Sequence, residues 1–326
     1  MDNFEIKILT DDYVEETLKL FNSVFGLTTS MELWKEKHFE NPVGNSIFFG
    51  AFDNDKLIAM NAFMPMQYVY KNELYNVVES CESAVSPNYR NRGIFSKIIK
   101  YAETWLSSNN YDFIIGFPNI NSYPAFMKLG WEVVEVTEHF GQIVSLRKWI
   151  EKKKESSIRP LTDTLFLINY IKNLFVNPLK NNYQIHKMKV DEFLLEYYKN
   201  NDIIKNNYGE NWLQWRLGNN GQILSVSDEN REILIFIILD NTILYLDSMG
   251  NETCDVVDAL RYFVKKGLNR TGEVTIYINR DSELINKIHG AGFVNKREPK
   301  QTKIVKRLSM RAITMNKDVR WLDQIS

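Results

Sequence analysis

Cysteine is nearly absent: Cys81 and Cys254 are the two in 326 residues. Two cannot build a disulfide framework or a cysteine-rich metal site. The four histidines, His38, His139, His186 and His289, are scattered. No Cys-x-x-Cys or His-x-x-x-His spacing occurs, so nothing predicts a bound metal. An excess of one charge is also missing, since 40 basic residues against 41 acidic ones give a net charge of −1. That balance offers no overall attraction to nucleic acid or to an anionic membrane. No apolar run approaches the roughly 18 residues that would suggest a membrane span. The opening MDNFEIKILTDDYVEE lacks the basic-then-apolar pattern of a secretory signal. These absences predict a soluble, cytoplasmic protein with neither a nucleic-acid nor a membrane partner.

Apolar side chains are plentiful, at 44% hydrophobic and 13% aromatic. A chain of this length with that composition predicts two domains. FEIKIL alternates like a short strand. TDDYVEETLKLFNSVF predicts a helix, with Val14, Leu18, Phe21 and Val24 on one face and Thr10 or Asp11 as the cap. ELWKEKHFENP predicts a second helix that stops before Pro42. From Ser46 to Pro87, strand-like runs broken by DND and KNE predict an antiparallel meander. A helix follows at GIFSKIIKYAETWLSSN, a buried strand at YDFIIGFP, a short helix at NSYPAFMKLGW with Gly130 as its C-cap, and further strand at EVVEVTEHFGQIVSL.

Lys148–Pro160, KWIEKKKESSIRP, is charged and poor in apolar residues, and reads as an exposed connection or a solvated helix end. Two helices, TLFLINYIKNLFVNPL and VDEFLLEYYKNN, come next. The order of the first half then returns: a Trp-bearing helix, hairpins, a long strand, a helix, a strand, and a short helix ending in AGF where the first half has LGW. Such a long period predicts a duplicated domain and not a solenoid. The expected boundaries are 1–150 for the first domain, 151–180 for a connecting segment, and 181–326 for the second domain.

The strand VVESCESAV runs through the turn SPNYRNRG straight into a helix. A helix start carries unpaired N–H groups and partial positive charge, which favour phosphate oxygens. Gly93 allows close approach of a ligand, and Arg90 and Arg92 can add charge-assisted hydrogen bonds. The competing reading is an exposed turn with two solvated arginines.

Val77 to Trp131 resembles the core of the GNAT superfamily of acyl-CoA-dependent N-acyltransferases. That family carries Arg/Gln-x-x-Gly-x-Gly/Ala between a strand and a helix, and here the stretch is Arg90, Asn91, Arg92, Gly93, Ile94, Phe95. Asn119, Phe126, Lys128, Gly130 and Trp131 match a second family pattern, and the element order agrees over roughly the first 140 residues. The resemblance implies an α/β (α+β) fold of two tandem GNAT-like domains, each a mixed, mostly antiparallel twisted sheet flanked by helices. It implies that the loop from Arg90 to Ser96 grips the pyrophosphate of coenzyme A. It further implies that Ala84, Val85 and Ser86 pair through backbone with the pantetheine arm, and that an N–H near Val85 polarises the thioester carbonyl. The end of the next strand, around Phe117 and Asn119, would form the other wall. Two positions depart from the pattern. Phe95 stands where the family has Gly or Ala, and must point away from the phosphates. Phe126 stands where many relatives carry a proton-donating tyrosine, which leaves Tyr123, water or unassisted departure for the thiolate.

An ammonium acceptor must lose a proton before it attacks, and a nearby carboxylate can take it. Glu79 and Glu82 are three residues apart, so in a regular strand they face opposite sides, with Cys81 and Ser83 on the face of Glu79. Glu79 lies eleven residues before Arg90, the offset of the general base in the histone-acetylating branch of the family, so it ranks first, with Glu82 in reserve. Cys81 reads as a core thiol, and His38 and His139 as packed or surface residues.

The equivalent loop of the second half, MGNETCDVVDAL, places Glu252, Asp255 and Asp258 at a helix start, where they would repel pyrophosphate. The second domain is therefore expected to be a degenerate copy that shapes the acceptor site. The expected reaction moves an acyl group from acyl-CoA to the amino group of a small molecule, without metal. The first choice of acceptor is a nucleotide-linked amino sugar of the dTDP type. It follows a loose resemblance to the N-acyltransferases of anthrose-type pathways. An antibiotic- or peptide-modifying N-acetyltransferase and a non-catalytic CoA-binding module are the alternatives.

Overall fold

The computed structural model describes residues 4–154, 160–175, 183–197, 204–207, 209–217, 221–227, 233–239, 242–249, 262, 273–280, 285, 288, 292–296, 301–315 and 321–322. In chain order the first elements are β1 (Glu5–Leu9), α1 (Val14–Phe25), α2 (Met31–Phe39), β2 (Ile47–Asp53), β3 (Lys56–Tyr70), β4 (Glu73–Val85), α3 (Ile94–Ser108), β5 (Phe113–Gly116), α4 (Tyr123–Lys128) and β6 (Glu132–Ile143). Then follow α5 (Leu146–Lys154), α6 (Pro160–Phe175), β7 (Gln184–Lys187), α7 (Val190–Tyr197), β8 (Ile204–Asn206), α8 (Glu210–Leu217), β9 (Gln222–Ser227), β10 (Ile233–Leu239) and β11 (Thr242–Met249). The last are β12 (Glu273–Asn279), β13 (Val294–Asn295), β14 (Gln301–Arg307), α9 (Met310–Ile313) and β15 (Trp321–Leu322).

Two compact units result, and neither is one stretch of chain. The first holds Met1–Val134, Asn201–Trp215 and Thr302–Leu322; the second holds Glu135–Asn200, Arg216–Gln301 and Asp323–Ser326. The sequence-based boundaries at 150 and 180 are contiguous, whereas the units interleave.

In the first unit the strands run β1-β2-β3-β4-β5-β14. All neighbours are antiparallel except β4 and β5, which pair in parallel from Val77–Phe113 to Ser80–Gly116. In the second unit the order is β7-β9-β10-β11-β12-β6, again with one parallel pair, β11 with β12. The same six-strand order with its parallel pair in the same place is what a duplicated domain requires.

In the first unit, α3 buries Ile94, Ile98, Ile99, Ala102 and Leu106 against Phe49, Phe63, Val78, Ile114 and Ile304. This row recurs at helical spacing, so it forms the apolar stripe that seats α3 on the sheet. On the opposite face Leu18 and Trp34 pack over Phe48, Phe52, Met60, Ala62 and Ala84. The hairpin turns predicted at DND and KNE are made by Asn54 at φ +54°, Lys71 at +49° and Asn72 at +65°.

The stretch 148–160 is corrected in part: α5 is a helix whose Trp149 is buried beside Ile143, Phe166 and Val294. The Trp149 indole donates to Glu273 at 3.2 Å, a partner that sequence distance conceals.

Candidate functional site

Strand β4 carries the candidate groups, and it is not regular. Met60 pairs with Ala84 and Ala62 with Cys81, so Asn61 alone faces both Glu82 and Ser83. This is a β-bulge, and Glu82 takes the left-handed conformation there at φ +49°. A non-glycine residue in that region costs about 1–2 kcal/mol.

The extra residue inverts the alternation. Ser80 and Ser83 both turn to Asn61, whose amide donates to the Ser80 hydroxyl at 3.1 Å and whose carbonyl accepts from the Ser83 hydroxyl. Cys81 and Ala84 pack on the face covered by α1 and α2. Glu82 is paired there with Lys37 of α2, whose ammonium donates to its carboxylate. The charge on Lys37 also responds to Glu79 and Cys81. The expectation that Glu79 and Glu82 face opposite sides, with Ser83 beside Glu79, is thus overturned. The bulge brings both carboxylates to the α2 side and sends Ser83 to the other.

Pairing of β4 with β5 ends at Ser80–Gly116, while β4 continues to Val85. The two parallel strands therefore part at the level of Cys81, and Ala84 and Val85 lie beyond the last β5 partner. Ser86 donates its N–H to the Ile58 carbonyl at 2.9 Å, so that group stays in the sheet.

A short turn, Pro87–Tyr89, then leads into the loop. Asn91 at φ +62° and Gly93 at φ +71° are both left-handed, and Gly93 is the N-cap of α3. A Cβ on Gly93 would meet nothing within 4 Å, so the space over the helix start is open. The N–H groups of the first α3 turn have no intrahelical acceptors. Arg90 Nε donates to the Val85 carbonyl at 3.2 Å. Arg92 donates to the Asn88 carbonyl at 3.1 Å and lies 5.2 Å from the centre of the Tyr89 ring. Tyr89 in turn donates to Asp53 at 2.8 Å. Ile94 is buried and Ser96 half-buried on α3.

Phe95 points inward, edge to face with Phe126 at 5.2 Å. Phe126 is 3% exposed and also packs on Trp131 at 4.5 Å. Asn119 closes a turn, its carbonyl accepting the N–H groups of Asn121 at 2.9 Å and Ser122 at 3.0 Å. Tyr123, at the start of α4, is exposed. Gly130 follows α4 at φ +75°, as a C-cap glycine does.

Sequence reading missed one group at this site, and read His38 as a packed or surface residue. Lys37 lies 45 residues from Glu82, and no spacing rule links them. His38 is fully buried against Trp34 and Phe48, with Nδ1 2.9 Å from the Ser46 hydroxyl. Burial, and then the charge of Lys37, lower its pKa to about 3, so the ring is neutral at ordinary pH. Burial also pushes the Cys81 thiol well above its ordinary range, which fits a packed thiol and not a nucleophile. The acidic loop of the second half, with Glu252, Asp255 and Asp258, lies outside the described residues. Among the described residues no group of three or more His, Cys, Asp or Glu could hold a metal ion. No described helix is long and apolar enough to cross a membrane.

Residues 5–134 match the acetyltransferase (GNAT) domain family. No curated protein matches the chain. Solved structures do. A probable N-acyltransferase from Enterococcus faecalis is 12% identical with a TM-score of 0.64, over 95% of this chain and 74% of its own. A GCN5-related N-acetyltransferase from Anabaena variabilis is 11% identical with a TM-score of 0.63, over 98% of this chain and 75% of its own. A tandem GNAT protein from the clavulanic acid biosynthesis pathway is 9% identical with a TM-score of 0.56, over 94% of this chain and 99% of its own. At these identities the likeness is one of fold, and it supports two GNAT-like domains. Parted parallel strands beside a glycine-capped helix start thus coincide with the stretch, residues 5–134, that matches the acetyltransferase (GNAT) domain family.

Proposed function

We propose that the chain transfers an acyl group from acyl-CoA to the amino group of a small molecule, with a nucleotide-linked amino sugar as the first acceptor to test. The observation that carries the reading is the parting of β4 from β5 after Ser80–Gly116, directly before the open start of α3. An extended thioester arm fits between two parallel strands that have separated, where backbone groups near Ala84 and Val85 have no β5 partner.

Acyl-CoA supplies the activated acyl group when bound. The backbone from Arg90 to Ser96 holds its pyrophosphate, with Arg90 and Arg92 adding charge at the rim. A backbone N–H near Val85 polarises the thioester carbonyl. Glu79 takes the proton from the incoming ammonium, and the amine attacks directly in a ternary complex. Asn119 acts by building the turn that leads into α4. Phe126 shapes the floor beneath Phe95 and contributes no proton. The thiolate is protonated by Tyr123 or by water. The protein works in the cytoplasm.

The choice of an amino sugar rests on sequence resemblance. The inward direction of Phe95 removes one argument for a silent CoA-binding module, because that ring does not block the loop. The test is CoA-thiol release from acetyl-CoA with a panel of amines: nucleotide-linked amino sugars, aminoglycosides and peptides. Turnover confined to the sugars supports the full reading. Turnover with another class moves the acceptor, and no turnover with any amine despite tight CoA binding rejects the enzyme reading.

A further inference from the structure

We propose that Lys37 is a positioning residue for acyl transfer, which through its ion pair with Glu82 fixes the β4 bulge and sets the charge around Glu79; this rests on the acyl-transfer reading above. The first support is the rigidity of α2 on both sides of Lys37. Trp34 and His38 are buried, with ring centres 4.4 Å apart and the rings tilted by 57°. Ser46 donates its N–H to the His38 carbonyl at 2.7 Å. Trp215 of α8 donates its indole N–H to the Glu36 carbonyl at 3.0 Å. With Trp34, Glu36 and His38 all held, the backbone that carries Lys37 is anchored on both sides.

The second support is the backbone that Lys37 reaches. Glu82 is the one described residue of β4 with positive φ. A strained residue persists where its surroundings over-determine it, and strain of this kind gathers at functional positions. Lys37 supplies that constraint from another element. The bulge it holds lies three residues before Val85 and three after Glu79, so a shift in it moves both the proton acceptor and the backbone beside the thioester.

The third support is the charge balance. From α2 come Lys37 and His38; from β4 come Glu79, Cys81 and Glu82. On the same face β3 brings Met64 and β5 brings Ile115, both uncharged, Asn61 turns away to Ser80 and Ser83, and the charged residues Glu15, Glu16 and Lys19 of α1 are exposed. His38 and Cys81 are neutral at ordinary pH. One ammonium therefore stands against two carboxylates. Burial works against the charge on Lys37, yet the Glu82 carboxylate, by charge and by hydrogen bond, and the Glu79 carboxylate favour it, and its pKa stands above the usual lysine value. The cation persists across the neutral range. Without it, two like charges would share the site, and each would disfavour ionisation of the other.

The experiment follows kcat/KM against pH by CoA-thiol release with the best amine of the panel. It compares wild type, Lys37→Met, Lys37→Arg and Lys37→Met/Glu82→Gln, with CoA affinity and Tm measured for each. Lys37→Met is expected to lower kcat/KM by about tenfold near neutrality, less than the roughly 10²–10⁴-fold of losing the proton-transfer group itself. Its acid limb should move to higher pH while CoA affinity stays within twofold. Lys37→Arg should restore both, and adding Glu82→Gln to Lys37→Met should return the limb toward wild type. An unmoved limb in Lys37→Met, or an equal loss in Lys37→Arg, overturns the proposal. If Lys37→Met does not fold, the Lys37 ammonium is titrated by NMR in wild type and Glu82→Gln. A fall in the Lys37 midpoint supports the pair, and no change overturns it. A wild type inert with every amine refutes the acyl-transfer reading and this inference with it. An active wild type whose Lys37→Met variant keeps the wild-type limb refutes this inference alone.

Discussion

Phe95 and Phe126 meet edge to face, 5.2 Å apart, beneath the start of α3. Both are departures from the family pattern, and the contact joins them. A large ring where the loop usually has Gly or Ala is accommodated by an apolar ring where a tyrosine is common. With Phe126 buried, a hydroxyl added there has no water and no described partner. Phe126→Tyr is therefore expected to cost about 1–3 kcal/mol of stability without raising the rate. Phe126→Ala is expected to cost about 3–5 kcal/mol. Thermal unfolding and steady-state rates check both. A faster, equally stable Phe126→Tyr enzyme would show that this ring faces the leaving thiolate.

Glu79→Gln removes the proposed proton acceptor and keeps the side-chain shape. The loss of rate should be largest at low pH, where most of the acceptor amine is still protonated. It should shrink as pH rises and the free amine becomes the main species. A pH profile parallel to wild type removes Glu79 from the mechanism.

Asp112 ties β14 and α9 to the rest of the first unit. Its carboxylate accepts from Arg311 Nε at 2.8 Å, from a second Arg311 nitrogen, and from the Asn76 N–H at 2.9 Å. Its carbonyl accepts the Leu308 N–H at 2.8 Å, just past β14. Burial opposes ionisation of Asp112, but Arg311, Ser309 and Asn76 outweigh it and hold the carboxyl below the ordinary Asp range. A group depressed in the folded state stabilises above its unfolded pKa, and that stability is lost as pH falls through the folded value. Asp112→Ala should thus cost about 1.5–3 kcal/mol at neutral pH, the scale of hydrogen bonds to a charged group. The gap from wild type should close in acid. A gap that is constant with pH contradicts the assignment.

Gly93 sits at φ +71° with open space beside it. Gly93→Ala is expected to cost about 1–2 kcal/mol from backbone conformation alone. No protein neighbour must move, but the added Cβ enters the space assigned to the pyrophosphate, so CoA affinity should fall while the fold survives. Unchanged affinity would show that the ligand does not approach the Gly93 Cα.

The path from VVESCESAV through RNRGIF into α3 was legible in the sequence because every step is local. A strand, a turn glycine and a helical stripe each leave a periodic mark. The bulge at Glu82 left none, since no residue type requires it and the groups it meets, Asn61 and Lys37, lie far off in the chain. β14 was missed for a similar reason. QTKIVKR carries β-branched residues, but it pairs with β5, some 190 residues earlier, and sits in the first unit, although chain order puts it with the second half. Contacts between distant segments decided what local pattern could not: the side that Glu82 faces and the strand that completes the first sheet.

The most direct test of the account is calorimetric titration of CoA into wild type and into Arg92→Glu/Gly93→Asp. Two carboxylates at the open start of α3 should repel pyrophosphate and lower affinity at least about a hundredfold, while Tm shows the variant folded. Unchanged affinity in a folded variant would contradict the assignment of residues 90–96 as the pyrophosphate site.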